Sequence, residues 1–230
     1  MMVGDNMKIL LISDIHGNLE ALEAVLALER WERIYCMGDL VDYGPSSREC
    51  VELIKEKAVA VRGNHDNAVA FDVDCGCGYE LKDLSQEVRL HTRNEMDRES
   101  LEYLAGLPLH VSANDSLLTH AALDDMFAYL KPDTPESAFR IFSGHPENVV
   151  ILGHTHIPMD RVIGDKRYVN PGSLGQPRDG DWRGSYAYFD DDELFFERIE
   201  YDIELTLDKM GQKGYPQRAK RILKAGKAVP

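Results

Sequence analysis

The sequence predicts an α/β protein whose first sheet is built from parallel strands. Short apolar runs alternate with segments in which apolar residues recur at helical spacing, as in strands that are joined by helices. Polar side chains follow the apolar runs directly, and ligands of such sheets bind beyond the carboxyl ends of the strands. A functional site is therefore expected along this edge of the sheet.

The first three strands are expected at residues 8–13, 33–37 and 58–61, where apolar residues dominate. Between the first two, leucine and valine residues recur at helical spacing, which predicts a helix. Pro45 and the two serines after it open a second helix, because proline is favoured in the first helical turn. The chain thus begins with the order strand, helix, strand, helix, strand.

A change of pattern from about residue 71 to about residue 108 predicts a helical insertion that resembles a cap. This segment is charged and rich in helix-favouring residues. Its apolar anchors are Leu84, Val88, Leu101 and Leu104. We expect residues 1–230 to form a single domain that contains this insertion, because the chain length suits one large core.

The second half of the chain predicts a hairpin followed by further strands. Residues 109–113 and 116–119 are joined by an Asn-Asp pair that suits a tight turn. A helix is expected around residues 136–142, a buried strand at 148–152, and a helical tail from residue 201 onward. Four more segments are expected to form antiparallel strands, at residues 161–163, 167–169, 185–189 and 194–199.

The composition excludes several classes of function. With 43% hydrophobic residues but no apolar stretch long enough to span a bilayer, no membrane role is expected. The formal net charge of -14 disfavours nucleic acid polymers as partners, since phosphate backbones bind basic surfaces. The opening residues lack a secretory pattern, and Met7 suits equally well as the start of the folded part. Four cysteines in this context predict reduced thiols and a cytoplasmic protein.

The stretch Gly153-His154-Thr155-His156 follows the buried strand at residues 148–152. Two imidazoles on a short, rigid loop suit a metal ion, because neutral imidazole is the commonest metal-binding side chain. An isolated His-x-His pair also occurs in ordinary polar loops, so the other strand ends decide between these interpretations. Four other strand ends are also followed by residues of the types that bind metals. These are Asp14-x-His16, Gly38-Asp39-x-x-Asp42, Gly63-Asn64-His65-Asp66 and His120.

With these motifs in this order, the chain from Met7 to about Pro177 resembles the calcineurin-like metallophosphoesterase superfamily. The superfamily motifs are D-x-H, G-D-x-x-D, G-N-H-[DE], a later histidine and G-H-x-H, and each is present. The resemblance implies a four-layer α/β/β/α sandwich of two mixed sheets flanked by helices. It also implies two metal ions, the first held by Asp14, His16 and His156, the second by Asn64, His120 and His154, and both bridged by Asp39.

The chemistry of these side chains agrees with a pair of divalent cations. Two such ions about 3.5 to 4 Å apart repel each other and need an anionic bridge, which an aspartate supplies. Mixed nitrogen and oxygen ligands suit manganese, iron, zinc, nickel or cobalt, and we predict manganese or iron.

The activity that the resemblance implies is hydrolysis of a phosphate ester by a metal-bridging hydroxide. His65 resembles the histidine that protonates the leaving alkoxide, and Asp42 resembles the carboxylate that orients it. We expect a small or medium phosphate monoester or diester as the substrate, so that the protein is a phosphatase or a phosphodiesterase. The alternative from another class is a non-catalytic binding scaffold, which missing ligands or a missing acid would indicate, and none is missing.

Tyr43 departs from two branches of the superfamily. Protein serine/threonine phosphatases and symmetrical dinucleoside tetraphosphatases have an arginine here, which binds substrate phosphate. Because tyrosine does not replace that bidentate donor, phosphoprotein and dinucleoside polyphosphates are the less favoured substrates. Arg178, in the glycine- and proline-rich loop after the metal histidines, is a candidate replacement. A surface salt bridge is the other interpretation of this arginine.

Further residues have both a structural and a functional interpretation. Cys75-Gly76-Cys77 lacks the two-residue spacing of common metal and redox pairs, and we expect a tight, partly buried turn. His91 is expected to be structural or solvated unless it reaches the cleft. The basic residues of the tail are expected to form a solvated helix face rather than a site for an acidic partner. They are Arg218, Lys220, Arg221, Lys224 and Lys227.

Overall fold

The computed structural model of the protein describes residues 8–228; the predictions on the opening segment, including Met7, lie outside the described residues. Within them the strands are β1 (Lys8–Ile12), β2 (Arg33–Cys36), β3 (Val59–Ala60), β4 (His110–Ala113), β5 (Ser116–Thr119), β6 (Val149–Ile151), β7 (Pro158–Ile163), β8 (Lys166–Pro171), β9 (Gly184–Asp190) and β10 (Glu193–Ile199). The α-helices are α1 (Leu19–Ala27), α2 (Ser47–Lys57), α3 (Asn64–Phe71), α4 (Tyr79–Glu95), α5 (Arg98–Gly106), α6 (Ile203–Gln212) and α7 (Gln217–Ala225), and a 3-10 helix spans Glu136–Phe142.

Two mixed five-stranded sheets pack face to face. The first has the order β10-β9-β1-β2-β3, in which β1, β2 and β3 are parallel and β9 is antiparallel to β1. The second has the order β4-β5-β6-β8-β7, in which β5, β6 and β8 are parallel. Helices cover the outer faces of the sheets. The predicted four-layer α/β/β/α sandwich is therefore confirmed.

The packing explains why β1 is apolar at each position after Lys8. Leu10 and Ile12 point to one face of the first sheet, where they pack with residues of α1 and α2. Ile9 and Leu11 point to the other face, where they pack against the second sheet. Both faces are thus shielded from water, and burial of each such side chain stabilises the fold by about 1.5 to 3 kcal/mol.

One strand pairing differs from the expectation. The helix predicted around residues 136–142 is present as a 3-10 helix, and Phe139 and Phe142 anchor it to the outer face of the second sheet. The segment at 167–169 belongs to β8, which is antiparallel to β7 as predicted but parallel to β6. The chain crosses over from β6 through β7 before it returns as β8, so local turn signals alone do not reveal this pairing.

The segment predicted as a cap contains α4 and α5. Leu84 and Val88 of α4 pack with α6 and α7, whereas Leu104 of α5 packs into the core beside the first sheet. The interpretation of this segment as an inserted cap stays a prediction. Within residues 8–228, no helix has both the length and the apolar character that crossing a membrane requires.

Candidate metal centre

The loops after four strands bring the predicted metal ligands into two adjacent groups. The first group contains Asp14, His16 and His156, and the second contains Asp39, His120 and His154. Within each group, the candidate ligand atoms lie within 4.8 Å of one another. Asn64, the first residue of α3, joins the second group through its Oδ1, which is 3.0 Å from Nε2 of His120. Thus the structure brings all seven of these side chains together.

Asp39 lies between the two groups. Its Oδ2 is 3.8 Å from Nε2 of His16 in the first group and 3.3 Å from Nε2 of His120 in the second. Its Oδ1 accepts a hydrogen bond from the backbone N–H of His65 at 2.8 Å, which fixes the carboxylate plane. One buried carboxylate therefore faces both groups of ligands.

The backbone of the site is locally strained. Left-handed conformations are uncommon for residues other than glycine, cost about 1 to 3 kcal/mol each and cluster at functional sites. Seven such residues line this centre. Their φ angles are 52° at Asp14, 48° at His16, 55° at Asp39, 69° at Asp42, 62° at Tyr43, 67° at His154 and 59° at His156. The surrounding sheets hold these loops in a strained backbone conformation, which directs their side chains toward the centre.

Backbone carbonyl oxygens orient the four histidines of the two groups. Each imidazole donates from one ring nitrogen to a carbonyl, which leaves its other nitrogen with a free lone pair. The pairs are His16 Nδ1 with Val41 O at 2.9 Å, His120 Nδ1 with Met37 O at 2.6 Å, His154 Nε2 with Phe127 O at 3.2 Å and His156 Nδ1 with Gln176 O at 2.6 Å. The other ring nitrogen of each histidine is left as a candidate ligand atom for a metal ion.

The donor set fits cations and little else. Nε2 of His16 and Nε2 of His156 face each other at 3.2 Å, although both rings have already placed a proton on Nδ1. Oδ1 of Asp14 is buried without a hydrogen-bond partner, 3.2 Å from the same nitrogen of His156. Because converging lone pairs repel one another, a positive ion between them relieves the repulsion and satisfies the carboxylate.

The electrostatics of the centre favour positive charge as well. Burial opposes ionisation of Asp14, but the neighbouring His156 holds the pKa of this carboxyl below its usual range. Burial likewise opposes a charge on His120, yet Asp39 raises the pKa of His120 to about 9. Burial, followed by repulsion from His120, lowers the pKa of His154 to about 3 and keeps it neutral. The ionised Asp14 and the neutral His154 thus suit a metal ion as they are, and a cation beside Asp39 would take the place of the proton on His120.

His65 and Asp42 form a second constellation beside the metal ligands. Nδ1 of His65 lies 2.7 Å from Oδ2 of Asp42, and its ring centroid lies 5.0 Å from that of His16. Arg89, from α4, contacts the same oxygen of Asp42 through Nε at 3.3 Å. The sequence offered no signal for Arg89, because it is one of several basic residues in a charged helix.

The thiol pair of the 72–78 loop also reaches this constellation. The expected turn is present at Gly76, with Cys75 buried and Cys77 half-buried. However, Sγ of Cys77 lies 3.1 Å from Nε2 of His65, so the turn is more than a structural link. His91, in contrast, stacks on Tyr215 with ring centroids 4.5 Å apart, as a structural histidine does.

Tyr43 and Arg178 lie at the edge of the centre. The buried Tyr43 ring packs edge-on against His16, with centroids 4.9 Å apart. Arg178 hydrogen-bonds Gln176 through Nη2 at 3.3 Å, while its Nε is buried without a partner. Among the residues that the structure describes, no carboxylate forms an ion pair with Arg178, so the salt-bridge interpretation lacks support. After burial, the charge of Arg178 is the main cause of the lowered pKa of His156.

Asp66, to which the sequence interpretation gave no role, holds the backbone of the loop that carries Asp39. Asp66 accepts hydrogen bonds from the backbone N–H groups of Asp39 and Leu40 at 2.8 Å and of Gly63 at 3.0 Å. Burial, together with the charge of Asp39, raises the pKa of Asp66 to about 7. Its position as the last residue of G-N-H-[DE] was the available signal.

Replacing Gly63 by alanine is expected to weaken metal binding by about 10- to 100-fold, as loss of outer-sphere support does. A Cβ atom there would lie 2.1 Å from Oδ1 of Asp39, which must then move. The measurement is Mn²⁺ affinity by calorimetry. Gly106→Ala is the matched control, because its Cβ would meet nothing within 4 Å. Equal Mn²⁺ affinities of the two variants would contradict the close approach of Gly63 to Asp39.

Comparisons with known proteins agree with this geometry. The family model of the calcineurin-like phosphoesterase superfamily domain matches residues 7–193. Protein MJ0912 of Methanocaldococcus jannaschii is 34% identical over an alignment that covers 91% of this chain and 94% of that protein. Phosphodiesterase YfcE of Escherichia coli K12 is 26% identical over an alignment that covers 82% of this chain and 90% of YfcE.

The crystal structure of a metallophosphoesterase from Sphaerobacter thermophilus superposes with a TM-score of 0.83 at 33% identity, covering 96% of this chain and 100% of that one. The match of the family model to most of the chain agrees with the fold and with the two ligand groups. The chain therefore belongs to the calcineurin-like phosphoesterase superfamily, a family of metal-dependent phosphate-ester hydrolases, and it is a phosphoesterase.

Proposed function

We propose that this phosphoesterase hydrolyses small or medium phosphate monoesters or diesters at a dinuclear metal centre. The observation that supports this function is the pair of ligand groups that share Asp39, with the His65–Asp42 pair directly beside them. Asp14, His16 and His156 would hold one ion, Asn64, His120 and His154 the other, and Asp39 both. Two bound divalent cations would supply an activated water and stabilise charge on the phosphoryl oxygens.

Manganese or iron is the proposed metal. The ligand atoms of both groups are imidazole nitrogens and carboxylate or amide oxygens, without sulfur. Such ligands suit these ions, and a soft thiolate that would favour zinc over them is missing from the two groups.

His65 is the proposed general acid. Asp42 accepts its Nδ1–H at 2.7 Å and so orients the ring, while Arg89 balances the charge of Asp42. The opposite nitrogen, Nε2, is then the atom that delivers a proton to the leaving oxygen. Burial disfavours the charged ring, but Cys77, Tyr43 and Asp39 raise the pKa of His65 above its usual value, which keeps this proton available.

The proposed substrate is a small molecule. A cleft of about 180 Å³ beside His120 is lined by Arg62 and by apolar residues such as Leu123 and Met126. The similarity to a protein named phosphodiesterase supports diesters among the substrates. Tyr43, in place of a phosphate-binding arginine, argues against phosphoprotein and dinucleoside polyphosphates.

The four free cysteines support a cytoplasmic setting.

The test uses para-nitrophenyl phosphate and its bis-ester with the Mn²⁺-loaded protein. Hydrolysis of at least one ester is expected, and a chelator should abolish it until Mn²⁺ is restored. If protein with two metal ions per chain released product from neither ester, nor from a panel of metabolite phosphates and nucleotides, the proposed substrate class would be wrong.

Replacing Arg178 by alanine is expected to lower kcat/KM by about 10- to 100-fold, mainly through a higher KM. The reason is that a charge-assisted hydrogen bond to substrate phosphate contributes about 1.5 to 3 kcal/mol. Arg183→Ala is the matched control, because Arg183 is already paired with Asp181. Steady-state kinetics on the best substrate make the comparison. An unchanged kcat/KM in Arg178→Ala would exclude this arginine as a substrate contact.

A further inference from the structure

Two thiols and an imidazole converge outside the two ligand groups. Cys75 and Cys77 flank Gly76, whose φ of 66° turns the chain so that both sulfurs lie on the same side. Their Sγ atoms are 2.7 Å apart, and Sγ of Cys77 lies 3.1 Å from Nε2 of His65. The three potential ligand atoms all lie within 4.8 Å of one another, and both cysteines are free thiols.

We propose that Cys75, Cys77 and His65 form a third metal site, which binds a soft divalent cation of the zinc class. Zinc takes sulfur at about 2.3 Å and imidazole nitrogen at about 2.0 to 2.1 Å in tetrahedral geometry, which sets ligand atoms roughly 3.5 to 3.8 Å apart. The two sulfurs would therefore separate by about 1 Å. Three protein ligands leave the fourth position open.

Asp42 prepares His65 for this site. Its Oδ2 accepts the Nδ1–H of His65 at 2.7 Å, so Nε2 points toward Cys77 and offers its lone pair to a cation once its proton is displaced. A carboxylate that orients a ligating imidazole in this way is the usual outer-sphere partner of zinc histidines. Arg89 in turn pairs with Asp42, through Nε at 3.3 Å.

The sulfur ligands separate this site from the dinuclear centre. Thiolates select zinc and cadmium over manganese, whereas the nitrogen and oxygen ligands of the other two groups suit manganese or iron. Asn64 links the two regions, because its Nδ2 donates to the carbonyl oxygen of Cys75 at 2.7 Å. The chain therefore offers adjacent positions to two classes of cation.

Occupancy of this site would inhibit the enzyme, a consequence that rests on the proposed function. Nε2 of His65 cannot deliver a proton while it ligates a cation. Since a general acid contributes about 10²- to 10⁴-fold to the rate, a bound zinc-class ion should lower turnover by at least about 10²-fold.

The test is a Cd²⁺ titration of the full-length, reduced, Mn²⁺-loaded protein, followed by the thiolate-to-cadmium charge-transfer absorption. The dinuclear centre has no sulfur ligand, so exchange of its metal leaves this band unaffected. We expect the band to saturate at one Cd²⁺ per chain. It should be lost in the Cys75→Ser/Cys77→Ser variant and retained in Cys50→Ala, which removes a buried thiol elsewhere. Circular dichroism checks that each variant is folded.

The same titration separates the site from its effect. No band in wild-type protein whose two thiols react with a thiol reagent, or a band that survives in the folded double variant, would overturn the proposed site. One equivalent of Zn²⁺ should lower turnover of an alkyl phosphate by the wild type by at least about 10²-fold and leave the double variant at its own zinc-free rate. A full band without inhibition would support the metal site and overturn the acid role of His65.

Discussion

Replacing Asp39 by asparagine is expected to remove both metal ions and to lower kcat/KM by at least about 10³-fold, or about 4 kcal/mol of transition-state stabilisation. The asparagine Oδ1 can still accept the N–H of His65, so the loop geometry is kept. What is lost is the negative charge that two cations need between them. Metal analysis after dialysis, together with steady-state kinetics, measures both effects.

The control for this variant is Asp133→Asn, which removes one negative charge from an exposed loop position. It should retain two metal ions per chain and full activity. Loss of only one metal ion in Asp39→Asn, with the other site unaltered, would contradict the bridging role.

Replacing His65 by asparagine is expected to lower turnover by about 10²- to 10⁴-fold while both metal ions remain bound. His65 faces the centre from α3 and contacts Asp42 and Cys77, but it belongs to neither ligand group of the dinuclear centre. Turnover and metal content of the same preparation are the measurements. Loss of the metals, or full activity, would show that the role is wrongly assigned.

The nature of the leaving group sharpens this prediction. A good leaving group such as para-nitrophenolate needs little protonation, whereas an alkoxide needs it fully. The His65→Asn defect should therefore be larger for alkyl phosphates than for para-nitrophenyl phosphate. His110→Asn, at an exposed position on β4, should show no such dependence. Equal defects for both kinds of ester would exclude proton donation by His65.

The sequence allowed the parallel strands of the first sheet to be predicted because they are locally distinctive, whereas the four-layer sandwich was implied by the family resemblance. The run around β1 is apolar at each buried position, since both faces of this strand are covered. The pairing of β8 with β6 was missed, because partners that are distant in sequence are chosen by packing rather than by turn chemistry. The helix at Glu136–Phe142 was predicted without its 3-10 geometry, since its two phenylalanines suit either kind of helix.

The metal ligands could be predicted because short motifs fix them at strand ends, where parallel strands bring them together. The contacts that orient these ligands could not be predicted from the sequence. The carbonyl oxygens that orient the histidines have no sequence signal, and Arg89 reaches Asp42 only because α4 packs across the centre. Cys77 was visible as part of a turn, but its distance from His65 depends on the tertiary fold.

The most direct test of the dinuclear centre is anomalous X-ray diffraction from crystals of the Mn²⁺-loaded protein. Two manganese peaks about 3.5 to 4 Å apart are expected. One should contact Asp14, His16 and His156, the other Asn64, His120 and His154, and both should contact Asp39. A single peak, or two peaks that do not share Asp39, would contradict the proposed centre.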